Sequence, residues 1–390
     1  MRYSSLVNRI SGEGSEAWYV HELACERAAR GDDVIILTIG DPDFDTPPAI
    51  VDAAIASLHA GRTHYSPMRG EQPLLDAIAP LVSKLAGRPI GEERIVSFPG
   101  AQCSLYATMQ CLLDRGTEVI VLDPAYVTYE AVIGASGATM VRVPLRPERR
   151  FRLRAADVRE RVTERTRAVL INSPNNPTGA VIERDEMAEL GRVCREFDLW
   201  LVCDEVYGTM TFGDAEHTSP LALADCDDRV VSIGSLSKSH AMTGWRLGWT
   251  VAPLELTAHL ANLAQAMLYG SPQFVQDAAV VALSEQHAQV ESMRKAYQAR
   301  AHVVVDVLDA TPKLSCRMPD AGMFIVADIR ETGLAGREFA LRLLDEYAVS
   351  VLPCEAFGDA GAGHVRISLS TNEAQLREAC ARISTFVGTL

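Results

Sequence analysis

Lys238 stands in the string Ser235-Leu236-Ser237-Lys238, in a chain where four lysines face 33 arginines. Arginine meets the general demand for surface cations, so a lysine in this setting directs attention to what only an amine does. It can condense with a carbonyl to form a Schiff base and, once released, move a proton. The run Arg229 to Ser235 reads as a short buried strand ending in small hydroxyl residues, a place where backbone can approach a bound anion. Lys238 then lies just past a strand end, where α/β proteins bind ligands. Taken alone, the string also fits a surface lysine in a polar loop, and its neighbours must decide.

Three further stretches carry chemical handles. Asp204 follows the apolar run Leu199 to Cys203, and a carboxylate at the end of a buried strand costs free energy unless it is paired. Its partner is either a cationic ring nitrogen or one of the arginines. Asn172 to Gly179 holds two prolines and adjacent asparagines after a buried strand, giving either a rigid turn that aims an amide side chain or a plain turn. Phe98-Pro99-Gly100-Ala101-Gln102 sets small residues before an amphipathic run, so amides at a helix start can hold a phosphate.

The elements that must position these residues follow from short apolar, β-branched runs. They are Val119–Leu122, Thr139–Val143, Ala168–Ile171, Leu199–Cys203, Val230–Ile233 and Gly248–Val251, often separated by amphipathic stretches such as Arg184 to Arg195. That alternation predicts β-α units building a mainly parallel sheet in one large α/β domain. A helix is expected from about Glu16 to Arg30, then a strand from Val34 to Ile39 and a turn at Gly40-Asp41-Pro42-Asp43. The C-terminal part mixes helices (Gln286–Leu308, Gly336–Tyr347, Asn372–Val387) with strands (Met323–Ala327, Val349–Leu352, His364–Ser368), which suggests a smaller α+β domain. The division is residues 1–45 as an arm joining the small domain, 46–284 as the large domain and 285–390 as the small one.

With 390 residues, 48% of them hydrophobic, the chain can fill sizeable cores. A formal net charge of −14 leaves no basic footprint for nucleic acid and disfavours anionic lipid surfaces. The nine cysteines are odd in number, scattered and never in C-x-x-C spacing. They read as reduced thiols, not as disulfides or zinc ligands, and no metal site is expected. No signal-peptide core and no apolar stretch of membrane-spanning length is present, so a cytoplasmic protein is expected. A nicotinamide dehydrogenase would suit the β-α alternation, but no G-x-G-x-x-G follows a strand.

Asn176-Pro177, Asp204 with Tyr207 three residues on, Ser235-x-Ser237-Lys238 and Arg246, in this order, resemble the pyridoxal-phosphate aminotransferases of fold type I. The likeness runs from Gly40 to Arg366. It implies a large domain built on a mainly parallel sheet of the seven-stranded type. It also implies that Lys238 holds the cofactor covalently and serves as general base, and that Asp204 faces the pyridine nitrogen. Tyr207 and Asn176 would bond the phenolic oxygen, and Tyr126 would stack on the ring. The phosphate would rest on Gly100, Ala101, Gln102, Ser235, Ser237 and Arg246. Tyr65 matches a position that reaches the phosphate in a neighbouring subunit, which implies a homodimer. Arg366 would bind the substrate α-carboxylate, helped by Gly40 and Asn176. Val127 departs from the proline common after the stacking tyrosine, a change to turn stiffness more than to chemistry.

The strings Gly100–Tyr106, Tyr126–Ala131, Ser235–Arg246 and Met267–Phe274 resemble the branch of that family that pairs arginine with pyruvate. This implies a basic or guanidino amino donor and a 2-oxo acid acceptor that leaves as alanine. A guanidinium needs a carboxylate or an aromatic face, for which Glu13, Glu16 and Trp18 in the N-terminal arm are candidates. The alternatives are a transaminase of aspartate, aromatic, alanine or broad specificity, and a C–S β-lyase sharing the same cofactor residues. A cofactor-binding transcription regulator is more distant, since the motifs begin by residue 40.

Overall fold

A computed structural model describes residues 2–11, 18–284 and 287–390. The first long helix spans Tyr19–Ala29, and Gly31 beyond it takes a left-handed φ of 97°. A short strand β1 (Ile35–Ile36) follows, briefer than the Val34–Ile39 expected. The chain there is shared between two sheets: the Leu37 amide donates to Ser350 O while Leu37 O accepts from the Ser368 amide, so continuous pairing ends.

Seven strands then form the central sheet: β2 (Ile95–Phe98), β3 (Glu118–Asp123), β4 (Thr139–Pro144), β5 (Thr166–Asn172), β6 (Trp200–Asp204), β7 (Val230–Ser235) and β8 (Gly248–Val251). Their order is β2-β8-β7-β6-β5-β3-β4, with β8 antiparallel to both neighbours and the remaining pairs parallel. The expected seven-stranded, mainly parallel sheet is present. β2 was not among the strands anticipated, because its four residues sit directly against the helix-start signal at Gly100.

Helices cover both faces, which is why the interiors of strands such as β3 (Val119–Leu122) and β6 (Leu201–Cys203) are continuously apolar instead of alternating. Ile50, Leu74, Ile78, Leu190 and Val193 pack on one side. Leu105, Met109, Ile133 and Leu260 pack on the other. Each is at most 1% exposed, and burying such side chains contributes about 1.5–3 kcal/mol apiece.

The remainder builds a four-stranded antiparallel sheet from β9 (Ser315–Cys316), β10 (Phe324–Asp328), β12 (Leu352–Pro353) and β13 (His364–Ser368), in the order β12-β13-β10-β9. The intervening β11 (Val349–Ser350) pairs instead with β1. The single strand expected over Val349–Leu352 is therefore divided between two sheets. The helices Ala288–Leu308, Gly336–Tyr347 and Glu373–Gly388 lie close to expectation, the last capped by the Asn372 side chain accepting from the Gln375 amide at 3.0 Å. A third core joins Val20, Ala24 and Leu37 to Tyr297, Phe339, Leu376 and Phe386.

All nine cysteines are free thiols and six of them are buried. Among the described residues no helix is long and apolar enough to cross a membrane.

Candidate active site

The carboxyl ends of β5, β6 and β7 lie side by side, since Asn172 pairs with Asp204 and Asp204 with Ile233. Each strand therefore delivers its polar terminal residue to one edge of the sheet. A cavity of about 250 Å³ opens there. Gly40, Asn176, Asp204, Tyr207, Lys238 and Arg366 line it, as do Ala101, Gln102, Tyr126, Ser235, Ser237 and Arg246. Trp18 does too, whereas Glu13 and Glu16 fall outside the described residues. A larger cleft of about 370 Å³ near Phe151 and Met318 contains none of the expected site residues.

Lys238 is half-buried, whereas Lys84, Lys295 and Lys313 are exposed. Its Nζ donates to Gly40 O at 2.6 Å. Burial pushes the amine down to about 8, reinforced by the charges of Arg366 and Arg246 and opposed by Asp41 and Asp204. A neutral, nucleophilic amine is thus accessible near physiological pH.

Asp204 is 5% exposed, and desolvation pushes its carboxyl up to about 6. Two donors oppose that shift: the Tyr129 hydroxyl at 2.8 Å from Oδ2 and the Val206 amide at 3.3 Å from Oδ1. Asn172 fixes the strand end by donating from Nδ2 to Asp204 O at 2.9 Å and accepting the Asn176 amide on Oδ1 at 2.7 Å. Tyr129 and Asn172 were not foreseen. The signal for Tyr129 was present in the Tyr126-x-x-Tyr129 spacing, about one helical turn; the rings now meet edge to face at 5.7 Å. Burial raises the phenol of Tyr207 well above its ordinary range.

Arg366 projects from β13, 3% exposed. Nη1 donates to Asn176 Oδ1 at 2.9 Å and Nη2 to Thr38 O at 2.5 Å, while Nε is buried without a partner among the described residues. The guanidinium carbon sits 4.0 Å from the Phe324 ring centroid and 4.9 Å from that of Phe357. Cation–π attraction worth about 2 kcal/mol offsets part of the desolvation that pulls this group down to about 10. The result is a fixed, planar cation suited to a carboxylate.

A second cluster in the same cavity suits an anion. The helix Ala101–Leu112 starts at Gly100, whose φ of 85° and lack of a Cβ let Arg246 lie against it. Gly248 serves the same end, since a Cβ there would come within 2.6 Å of the Ala101 amide nitrogen. Ser235 Oγ is bonded to Ser237 Oγ at 2.8 Å and to Leu247 O at 3.0 Å, and Arg246 Nη1 is held by Thr243 O at 2.8 Å. Tyr65 is elsewhere: it is 80% exposed, with its ring 4.9 Å from that of Tyr269.

Residues 32–383 match the family Aminotransferase class I and II. The chain is a class I and II aminotransferase. It is 50% identical over 384 residues to the arginine–pyruvate transaminase AruH of Pseudomonas aeruginosa, covering 98% of each chain. An aspartate aminotransferase of Pyrococcus horikoshii is 36% identical over 92% of each. Among solved structures, the aspartate aminotransferase of Thermus thermophilus with maleate superposes with a TM-score of 0.93 at 33% identity, covering 100% of both chains.

Aminotransferases of this family use pyridoxal phosphate, and the cavity meets its requirements. The helix-start amides beside Ser235, Ser237 and Arg246 offer donors for a phosphate, the buried Asp204 needs a cation, and Lys238 offers an amine of lowered basicity.

Proposed function

We propose that this aminotransferase takes the α-amino group of arginine, or of a related guanidino or basic amino acid, and passes it to pyruvate in two half-reactions. The likeness to AruH over nearly the whole chain supports the substrates. The observation that carries the chemistry is the convergence of Lys238, Asp204 and Arg366 on one cavity. When bound, pyridoxal phosphate supplies a carbonyl carbon that takes up the amino group and a cationic ring that draws electrons from the donor Cα.

The chain's own groups do the remaining work. Arg366, held by Asn176 and Thr38, binds the α-carboxylate of both substrates and so presents the Cα hydrogen to Lys238. Lys238 would hold the cofactor by its amine and, when its amine is free, would move the Cα proton. Asp204, with its carboxylate supported by Tyr129, balances the ring's positive charge. Tyr207 and Asn176 would bond the ring's phenolic oxygen, and Tyr126 would stack on the ring. Gly100, Ala101, Gln102, Ser235, Ser237 and Arg246 hold the phosphate, while the Gly40 backbone steadies Lys238 and substrate.

The same reading makes the working molecule a homodimer in which Tyr65 reaches the phosphate of the adjoining subunit. The exposed pair Tyr65 and Tyr269 supports this. The shared core of residues near 20–37 and 293–387 supports an arm belonging to the C-terminal domain, with boundaries near 45 and 285. Free buried cysteines support a cytoplasmic setting.

The test is a single-turnover absorbance scan of the cofactor-loaded protein with arginine, ornithine, lysine, alanine, aspartate and cysteine in turn. Conversion of the cofactor to its amine form, reversed by pyruvate, is expected, with arginine fastest. Release of pyruvate from cysteine without that conversion would replace the transaminase reading with a lyase.

A further inference from the structure

The walls of the active-site cavity are rich in cations. Lys238, Arg246 and Arg366 line it, and among the described residues Asp204 is the one acidic group that joins them. Asp204 is buried and committed to Tyr129 and Val206. A donor whose side chain ends in a guanidinium therefore enters a positively charged cavity and needs a carboxylate at its rim. The described residues provide one at Asp41.

Asp41 is exposed and directly follows Gly40, whose carbonyl takes the Lys238 amine at 2.6 Å. Thr243, itself a wall of the cavity, donates its hydroxyl to Asp41 Oδ1 at 2.6 Å. That bond ties the carboxylate to the rim. Asp41 also acts on the Lys238 amine more strongly than Asp204 does, which places its charge close to the reacting centre. Trp18 lines the same cavity, in edge contact with His21 at 6.1 Å, and offers an aromatic face for methylenes or a guanidinium.

We propose that Asp41, oriented by Thr243, is the anchor for the cationic side chain of the amino donor, with Trp18 as the wall along that side chain. This rests on the proposed use of a basic donor. It adds the residue that selects one: with the α-carboxylate on Arg366 and the reacting Cα at Lys238, a long cationic side chain has to find its countercharge at the cavity rim, and the Asp41 carboxylate supplies it. A role limited to tying Gly40 to the lysine loop predicts something different, because such a tie serves every donor equally.

Citrulline separates the two, being arginine with a neutral urea in place of the guanidinium. Half-reaction rates are measured for wild type, Asp41→Asn and Asp41→Glu, each loaded with cofactor, using arginine and citrulline at low and high salt. Wild type is expected to prefer arginine by about tenfold or more in kcat/KM, mainly through KM, with the preference shrinking as salt rises. Asp41→Asn should bring the ratio close to one, and Asp41→Glu should restore part of it. If Asp41→Asn slows both donors by the same factor, Asp41 acts only through the lysine loop and the proposal falls while arginine use stands. If wild type turns over arginine no better than citrulline, or its preference ignores salt, the anchor is overturned without recourse to any variant. If arginine is not a donor at all, the functional reading fails with it.

Discussion

Tyr129 donates its hydroxyl to Asp204 Oδ2 across 2.8 Å, and the two side chains are 1% and 5% exposed. The bond holds the carboxyl down against the desolvation that drives it up to about 6. Tyr129→Phe removes a donor to the charged form, so the Asp204 pKa rises further. The acidic limb of activity should move to higher pH, with kcat/KM at neutral pH down about tenfold, the worth of a hydrogen bond to a charged group. A pH profile of the half-reaction checks both.

Asp204 also makes the stability of the cofactor-free protein depend on pH. Its folded value of about 6 lies above the usual carboxylate range, so the unfolded chain gives up this proton first. The stability tied to the protonated form is complete below about pH 4 and is lost as pH rises towards 6 and beyond. Roughly 3 kcal/mol is involved for a shift of about two pK units. Asp204→Asn should therefore melt higher than wild type at pH 7 without cofactor, and gain less from added cofactor. Thermal melts with and without pyridoxal phosphate measure this.

Arg366→Lys keeps the charge and loses the planar fork between Phe324 and Phe357. A lysine amine cannot satisfy Asn176 Oδ1 and Thr38 O while facing a carboxylate in two places. The expected loss is about a hundredfold in kcat/KM for the amino donor and for pyruvate alike, chiefly in KM. Steady-state kinetics varying each substrate would show a loss confined to one of them if the assignment were wrong.

Gly100→Ala puts a Cβ at a φ of 85° and directly against the Arg246 guanidinium. Strain at the turn costs about 1 kcal/mol, and displacement of Arg246 removes a proposed phosphate partner. Cofactor affinity should fall about tenfold while the fold persists, which a spectrophotometric titration of cofactor-free protein reads directly.

Lys238→Ala should still take up cofactor, without the absorbance of the lysine-bound form. Turnover should fall by a factor of about 10⁴ or more, since one side chain is proposed to provide both the covalent hold and the base. Normal turnover by this variant would remove the central assignment.

What could be read from sequence follows how local each signal is. Asp204, Ser235 and Lys238 sit where a buried strand gives way to polar residues, a pattern contained within a few positions, and the structure brings them to one cavity. The partners that tune them come from far along the chain. Tyr129 meets Asp204 across 75 positions, Asp41 meets Thr243 across 202, and Arg366 reaches Thr38 across 328. Sheet order sets those contacts, and no single segment encodes it. The same cause shortened the expected Val34–Ile39 strand, whose residues divide their hydrogen bonds between β11 and β13. Arg366 itself became legible only through its resemblance to a family, because an arginine on a strand has no local mark showing that two phenylalanine rings will enclose it.

The scarcity of lysine has a spectroscopic use. A protein grown with isotopically labelled lysine would present four side-chain signals, three from exposed residues and one from a half-buried residue. The half-buried one belongs to Lys238, so a magnetic-resonance titration could follow that amine as cofactor and substrates are added, with almost no background to subtract.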